Sequence, residues 1–213
     1  MSFFEPPPPP PELPEEALER KPWWGAPTNE LGVSTGLRVL LVRTDDVAVS
    51  VIDAVAFTTG VQLKLVAARR RPSFVDPFDL HHQFAHRMRA GGELPPELLR
   101  FGVEFSDGRK ATSLGSGPMT SFSLQSDEEP EPQGPLLLPG GGGGSDDRWE
   151  SEFWLWPVPP PGPLAVVIEW PAEGIELTRQ EVDPAPIIEA AARSEVLWPE
   201  QQGDGGSWTS FGG

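Results

Sequence analysis

The 213-residue chain contains no cysteine, which excludes disulfides, thiolate metal sites and a thiol nucleophile; the fold has to hold without covalent staples. It is also short of positive charge: 16 Lys and Arg stand against 32 Asp and Glu, a formal net charge of −16. With no basic tail, the chain lacks the cation clusters that supply most of the affinity for a phosphate backbone, so DNA and RNA are not expected partners. No window approaches 18 uninterrupted apolar residues, and the opening M-S-F-F-E-P-P-P-P-P-P has neither a basic n-region nor an apolar h-region. A membrane is therefore not an expected partner either, and the expected location is the cytoplasm.

What is abundant are the breakers of regular structure, 27 Pro and 23 Gly. They punctuate short runs in which β-branched and aromatic residues recur at every second position, the period of a strand with one buried face. The densest such stretch runs from Trp149 to Trp170. Trp149, Ser151, Phe153 and Leu155 share one face, Trp154 and Trp156 the other, and after Pro157 to Pro163 the pattern resumes with Leu164, Val166, Ile168 and Trp170. It reads as a long-looped hairpin at the centre of a sheet.

Taken in order, residues 1–22 read as a proline-rich disordered tail, with polyproline II over Pro6 to Pro11. Trp23 and Trp24, set among turn formers, are expected to cover a core edge. Strands follow at Leu37 to Arg43, from Val47 to Phe57 with a bulge near Ile52 and Asp53, and at Val61 to Ala67. Residues 72–98 read as a flexible loop holding a short helix from about Asp79 to Met88. The run from Phe101 to Phe105 turns back at Asp107 and Gly108, a type I′ signal, toward Arg109 to Leu114. A further loop, 126–148, includes the acidic Ser126 to Gln133 and the glycines 140–144, whose ordering entropy argues for looseness; Leu136 to Leu138 interrupts it as a short strand. The last strand is Ile175 to Val182. Asp183 then caps a helix that packs through Ile187, Ile188, Ala191 and Ala192, and Trp198 is expected to close the core. Residues 199–213 read as a loose C-terminal tail. Eight to ten short strands and one terminal helix predict a single domain over 23–198, an immunoglobulin-like antiparallel β-sandwich; a small β-barrel is the alternative.

Three constellations bear on chemistry. Asp79, His82 and His86 have the spacing that places metal ligands on one helix face, but no fourth ligand or H-E-x-x-H base accompanies them, and a solvated helix gives the same spacing. Nine of the 16 basic residues fall between positions 64 and 110. Within them Arg69, Arg70 and Arg71 are candidates for contacting an anionic ligand or acidic partner, against the plainer role of keeping strand ends soluble. Trp154, Trp156 and Trp170 offer a platform on which sugars or other flat apolar faces stack, although filling the interior of a staple-free sandwich is the favoured role. The glycine run lacks the spacing of a phosphate-binding loop, and Gly115-Ser116-Gly117 is not a nucleophile elbow. No catalytic residue and no cofactor is expected. The leading reading is a non-enzymatic module that binds another protein; a small-molecule or carbohydrate-binding module comes second and a metal-dependent enzyme third. The oligomeric state is open.

The strings F-F-E-P-P-P-P-P-P, W-W-G-A-P-T-N-E-L-G, R-T-D-D-V-A-V, L-R-F-G-V-E-F-S-D-G-R-K-A-T and F-W-L-W-P-V-P-P-P-G-P-L-A-V-V-I-E-W-P-A-E-G-I together resemble a group of uncharacterised proteins from high-GC actinobacteria, over a span from the first residues to about Trp198. That resemblance implies a bacterial cytosolic setting and carries no activity, cofactor or site residue.

Overall fold

Period-two runs become strands wherever β-branched side chains can cover a shared interior, and the computed structural model describes them over residues 21–71, 94–114 and 131–198. The strands are β1 (Glu30–Leu31), β2 (Val33–Ser34), β3 (Val39–Arg43), β4 (Val47–Ala56), β5 (Val61–Arg69), β6 (Arg100–Glu104), β7 (Lys110–Thr112), β8 (Leu136–Ser145), β9 (Arg148–Trp156), β10 (Leu164–Trp170), β11 (Ile175–Val182) and β12 (Glu195–Val196), with one α-helix among the described residues, α1 (Ala185–Ala191). The larger antiparallel sheet has the order β2-β4-β5-β9-β8, and β3 lies on the edge of β4 that β2 also uses. The smaller has the order β11-β10-β6-β7, and β1 with β12 makes a separate two-stranded ribbon. The two sheets are not closed into a barrel. The protein is an antiparallel β-sandwich, mainly β, with α1 near the C-terminal end of the described chain.

The inward rows supply the interior: Val47, Val49 and Val51 of β4, Val61, Leu63 and Leu65 of β5, and Phe153 and Leu155 of β9 face Phe101, Val103, Val166, Ile168 and Trp170 of the smaller sheet. Phe101 and Phe153 meet edge to face across it, centroids 4.9 Å apart. The phase break expected in β4 is a bulge between Val51 and Asp53. It moves Asp53 out of the apolar row, where its Oδ1 accepts hydrogen bonds from Ser34 Oγ and the Ala54 N–H, each at 2.8 Å. At α1 the Asp183 carboxylate accepts from the Ala185 N–H at 2.9 Å, and Ile187 and Ala190 reach the core. Ala190 takes the place expected of Ala192, which is exposed: Ile187, Ala190 and Ala191, at i, i+3 and i+4, form the buried stripe. Trp198 does not close the core; it is 55% exposed beyond the short β12.

Three further expectations change. Trp149 to Trp170 is not a hairpin: β9 pairs with β5 and β8, whereas β10 pairs with β6 and β11. Alternation marks both strands but does not select partners. The Pro157 to Pro163 linker carries the chain from one layer to the other, roughly 10 Å apart in sandwiches. The Asp107-Gly108 turn is not type I′, since Asp107 has negative φ and only Gly108, at φ 84°, is left-handed. Gly108 N–H donates to the Phe105 C=O, a type I turn closed by a glycine bulge. Finally, the glycines 140–144 belong to β8.

A second apolar cluster lies on the outer face of the larger sheet. Trp154 and Trp156 point outward there and are covered by Trp23, Phe57 and Leu138, with Trp23 edge-on to Trp156 and Phe57 edge-on to Trp154, both at 5.8 Å. Trp154 Nε1 donates to the Pro22 C=O at 3.2 Å. The segment around Trp23 thus covers a core edge, as its aromatic pair predicts.

Candidate functional site

β8 is an edge strand in two halves. Leu137 and Leu138 of its first half are buried, while every residue from Gly140 to Arg148 is exposed. The halves are separated by a bulge: Pro139 lies opposite Phe153 and Gly142 opposite Ser151, so two glycines face the single residue Glu152. Past it, Gly142 and Gly144 lie opposite Ser151 and Trp149 of the inward row, and Gly143 opposite the outward Glu150. Ser145 and Arg148 close the hairpin across Asp146 and Asp147, and Ser145 Oγ donates to Asp147 Oδ1 at 2.9 Å.

The two sets of glycines have different reasons. A Cβ on Gly142 would stand 2.6 Å from the Glu150 carbonyl oxygen, and one on Gly144 would collide with the Arg148 carbonyl and with Trp149, so backbone proximity demands glycine there. A Cβ on Gly141 or Gly143 would meet nothing within 4 Å, and neither residue is left-handed. No packing or conformational constraint explains those two. Glycine inside a strand costs roughly 0.5–1 kcal/mol relative to alanine, and the result is a bare strand beside a groove of about 480 Å³. Its walls are Lys64, Arg148, Glu150 and Glu152.

The charges in this groove are mostly spent on one another. Lys64 Nζ lies 2.6 Å from Glu150 Oε2 and Arg148 Nη2 lies 3.0 Å from Glu150 Oε1. The hydrogen bond from Lys64 holds the Glu150 carboxyl below its ordinary pKa, and the same bond raises that of Lys64. Glu152 accepts only from a neutral donor among the described residues, Gln62 Nε2 at 2.7 Å. On its far side, among the described residues, no strand pairs with β8, and Gly140 to Ser145 are all exposed.

The residues singled out by sequence do not assemble into one site. Trp154 and Trp156 are packed in the outer cluster, 5% and 8% exposed, and Trp170 is fully buried between the sheets, so no platform forms. Arg69 ends the inward row of β5. Its guanidinium lies between Trp149 and Trp170, 5.1 and 4.9 Å from the ring centroids, and its Nη2 pairs with Glu173 at 2.5 Å. This is an internal clamp between the layers. Arg70 and Arg71 are exposed at the end of the strand, with Arg71 4.0 Å from Asp46. Asp79, His82 and His86 lie outside the described residues. The glycine run has no strand period of its own; the local sign of the β8 edge is Ser145-Asp146-Asp147-Arg148 leading into W-E-S-E-F-W, a tight turn whose other arm is the glycine run.

No helix among the described residues is long and apolar enough to cross a membrane. No family model, curated protein or solved structure matches the chain.

Proposed function

We propose that this chain is a non-enzymatic protein-interaction module that takes an extended segment of another protein onto the free edge of β8. The observation that carries this reading is the pair Gly141 and Gly143, glycine at strand positions where a side chain would meet open space, beside main-chain groups with no partner among the described residues. An added strand gains affinity from main-chain hydrogen bonds, and the absence of side chains lets its own approach closely. The setting that goes with this reading is the cytosol of an actinobacterium, from composition and resemblance. A carbohydrate or small-molecule module built on Trp154 and Trp156 gains no support, because both rings are packed. A metal-dependent enzyme on Asp79, His82 and His86 rests on residues outside the described ones.

The test is selection of random linear peptides on the folded protein, followed by amide hydrogen exchange of the complexes. Selected peptides are expected to slow exchange at alternate amides between Gly140 and Ser145. Peptides that bind and leave those amides unprotected would overturn the reading.

A further inference from the structure

We infer that the segment taken by β8 is a basic one, carrying arginine or lysine at alternate positions on the side that lies over Gly141 and Gly143. This rests on the strand-addition reading and adds the chemistry of the partner. In an added strand, every second side chain projects to the outer face of the larger sheet. On an ordinary edge it would meet the outward side chains of the edge strand, but at Gly141 and Gly143 there are none. A long side chain therefore crosses β8 and reaches the outward row of β9, two strand spacings or about 10 Å away from the added backbone. Beside these two glycines that row presents Glu150 and Glu152, flanking the groove, with Arg148 beyond Glu150 at the turn.

Charge decides what fits. Residues 141–152 carry four acids, Asp146, Asp147, Glu150 and Glu152, and one base, Arg148; Lys64 from β5 brings the local balance to −2. Both local cations are engaged by Glu150, which leaves Glu152 with only the Gln62 amide and Asp146 without an ion pair among the described residues. A strand with acidic outward residues would meet these carboxylates and the repulsion of a chain carrying −16 overall. A basic strand is attracted at long range, and its guanidinium groups find Glu152 at the end of a path with no side chain in the way.

Three capped peptides of one strand-forming sequence, differing only in Arg, Gln or Glu at alternate positions, separate the possibilities when each is titrated at low salt with exchange read at Gly140 to Ser145. The Arg peptide is expected to protect these amides at a concentration at least about fivefold below the Gln peptide, as one or two exposed ion pairs allow. The Glu peptide is expected to give no protection, and Glu152→Gln is expected to shrink the Arg advantage without changing Gln-peptide binding. Equal protection by the Arg and Gln peptides would overturn the basic-strand inference while leaving strand addition standing. If none of the three protects, while peptides selected at random do, the charge inference falls alone; if neither set does, strand addition falls with it. Protection that appears without peptide and grows with protein concentration would mean that a second copy occupies the edge, and would also overturn the inference.

Discussion

Arg69 shows how one side chain joins the two layers. It reaches the interior from the last inward position of β5, with Trp149 of its own sheet on one side and Trp170 of the other sheet on the other, and Glu173 neutralises it just past β10. A cation between two aromatic faces gains electrostatically, but its desolvation has already been paid, so the two ways of breaking the pair are unequal. Glu173→Ala leaves a guanidinium that is only 10% exposed without its counter-charge and is expected to lower stability by about 2 kcal/mol. Arg69→Met removes the charge together with that cost and keeps contact with both rings, so it is expected to cost about 1 kcal/mol or less. Urea denaturation of the two variants measures the difference, and a larger loss for Arg69→Met would place the energy in the ring contacts instead. At the surface the Lys64–Glu150 pair makes a different prediction. Because the Glu150 carboxyl is held low in the folded state, its contribution is present above the unfolded value of about 4.3 and is lost as pH falls through the lower folded value. Lys64 is raised, so its contribution is present below its unfolded value of about 10.4 and is lost only as pH rises past it. Carbon NMR titration should therefore find the Glu150 midpoint below that of an ordinary glutamate, and Lys64→Met should move it up only part of the way, since Arg148 also donates to it.

Among the elements, β8 separates what a strand needs from what it merely permits. Gly142→Ala drives a methyl group to within 2.6 Å of the Glu150 carbonyl oxygen, and it is expected to destabilise by about 1–3 kcal/mol, as overpacking does. Gly141→Ala places the same group in open space and restricts the unfolded chain, so it is expected to be neutral or to stabilise by up to about 1 kcal/mol. Urea midpoints of the two variants test this, and equal losses would mean that the outward glycines are also structural. The same strand marks where sequence stops being legible. The bulge at Asp53 could be read because the apolar phase visibly breaks between Val51 and Ala54, a local signal. The glycine run carries no phase, and the entropy cost of ordering it is real; what orders it is the ladder offered by β9, together with close backbone approach at Gly142 and Gly144, and neither is local to the run. The clamp at Arg69 was hidden for the same reason, since its two rings come from strands in different sheets. Trp154 and Trp156 could be placed on one face by alternation, but what covers that face, Trp23 and Phe57, comes from distant parts of the chain.

The whole molecule is built by interleaving, and its charge acts on all of it at once. The chain lays β2 to β5 in the larger sheet, crosses to place β6 and β7 in the smaller, returns with β8 and β9, and crosses again through the proline linker to β10 and β11. In consequence β5 meets β9 and β6 meets β10, so each sheet is completed only by a hairpin that arrives late in sequence. The longer strands, apart from the glycine half of β8, were readable from period two, and the sandwich followed from having more apolar faces than one sheet can cover; which strands cross was not, because every crossing joins strands with the same pattern. A fold whose sheets depend on such distant pairings has no disulfide to tie them together and carries a net charge of −16. Two electrostatic effects then compete as salt is added. Ion pairs that bridge strands and layers, such as Arg69–Glu173 and Arg100–Glu169, are partly buried and weakly screened. The mutual repulsion of the surplus acids is spread over the surface and is strongly screened when the Debye length falls from about 30 Å at 0.01 M salt to about 8 Å at 0.15 M. Repulsion opposes the compact state more than the expanded one, so raising sodium chloride across this range at pH 7 is expected to raise the thermal midpoint. A midpoint that falls instead would mean that exposed pairs such as Lys64–Glu150 hold the sheets together more than the excess charge strains them.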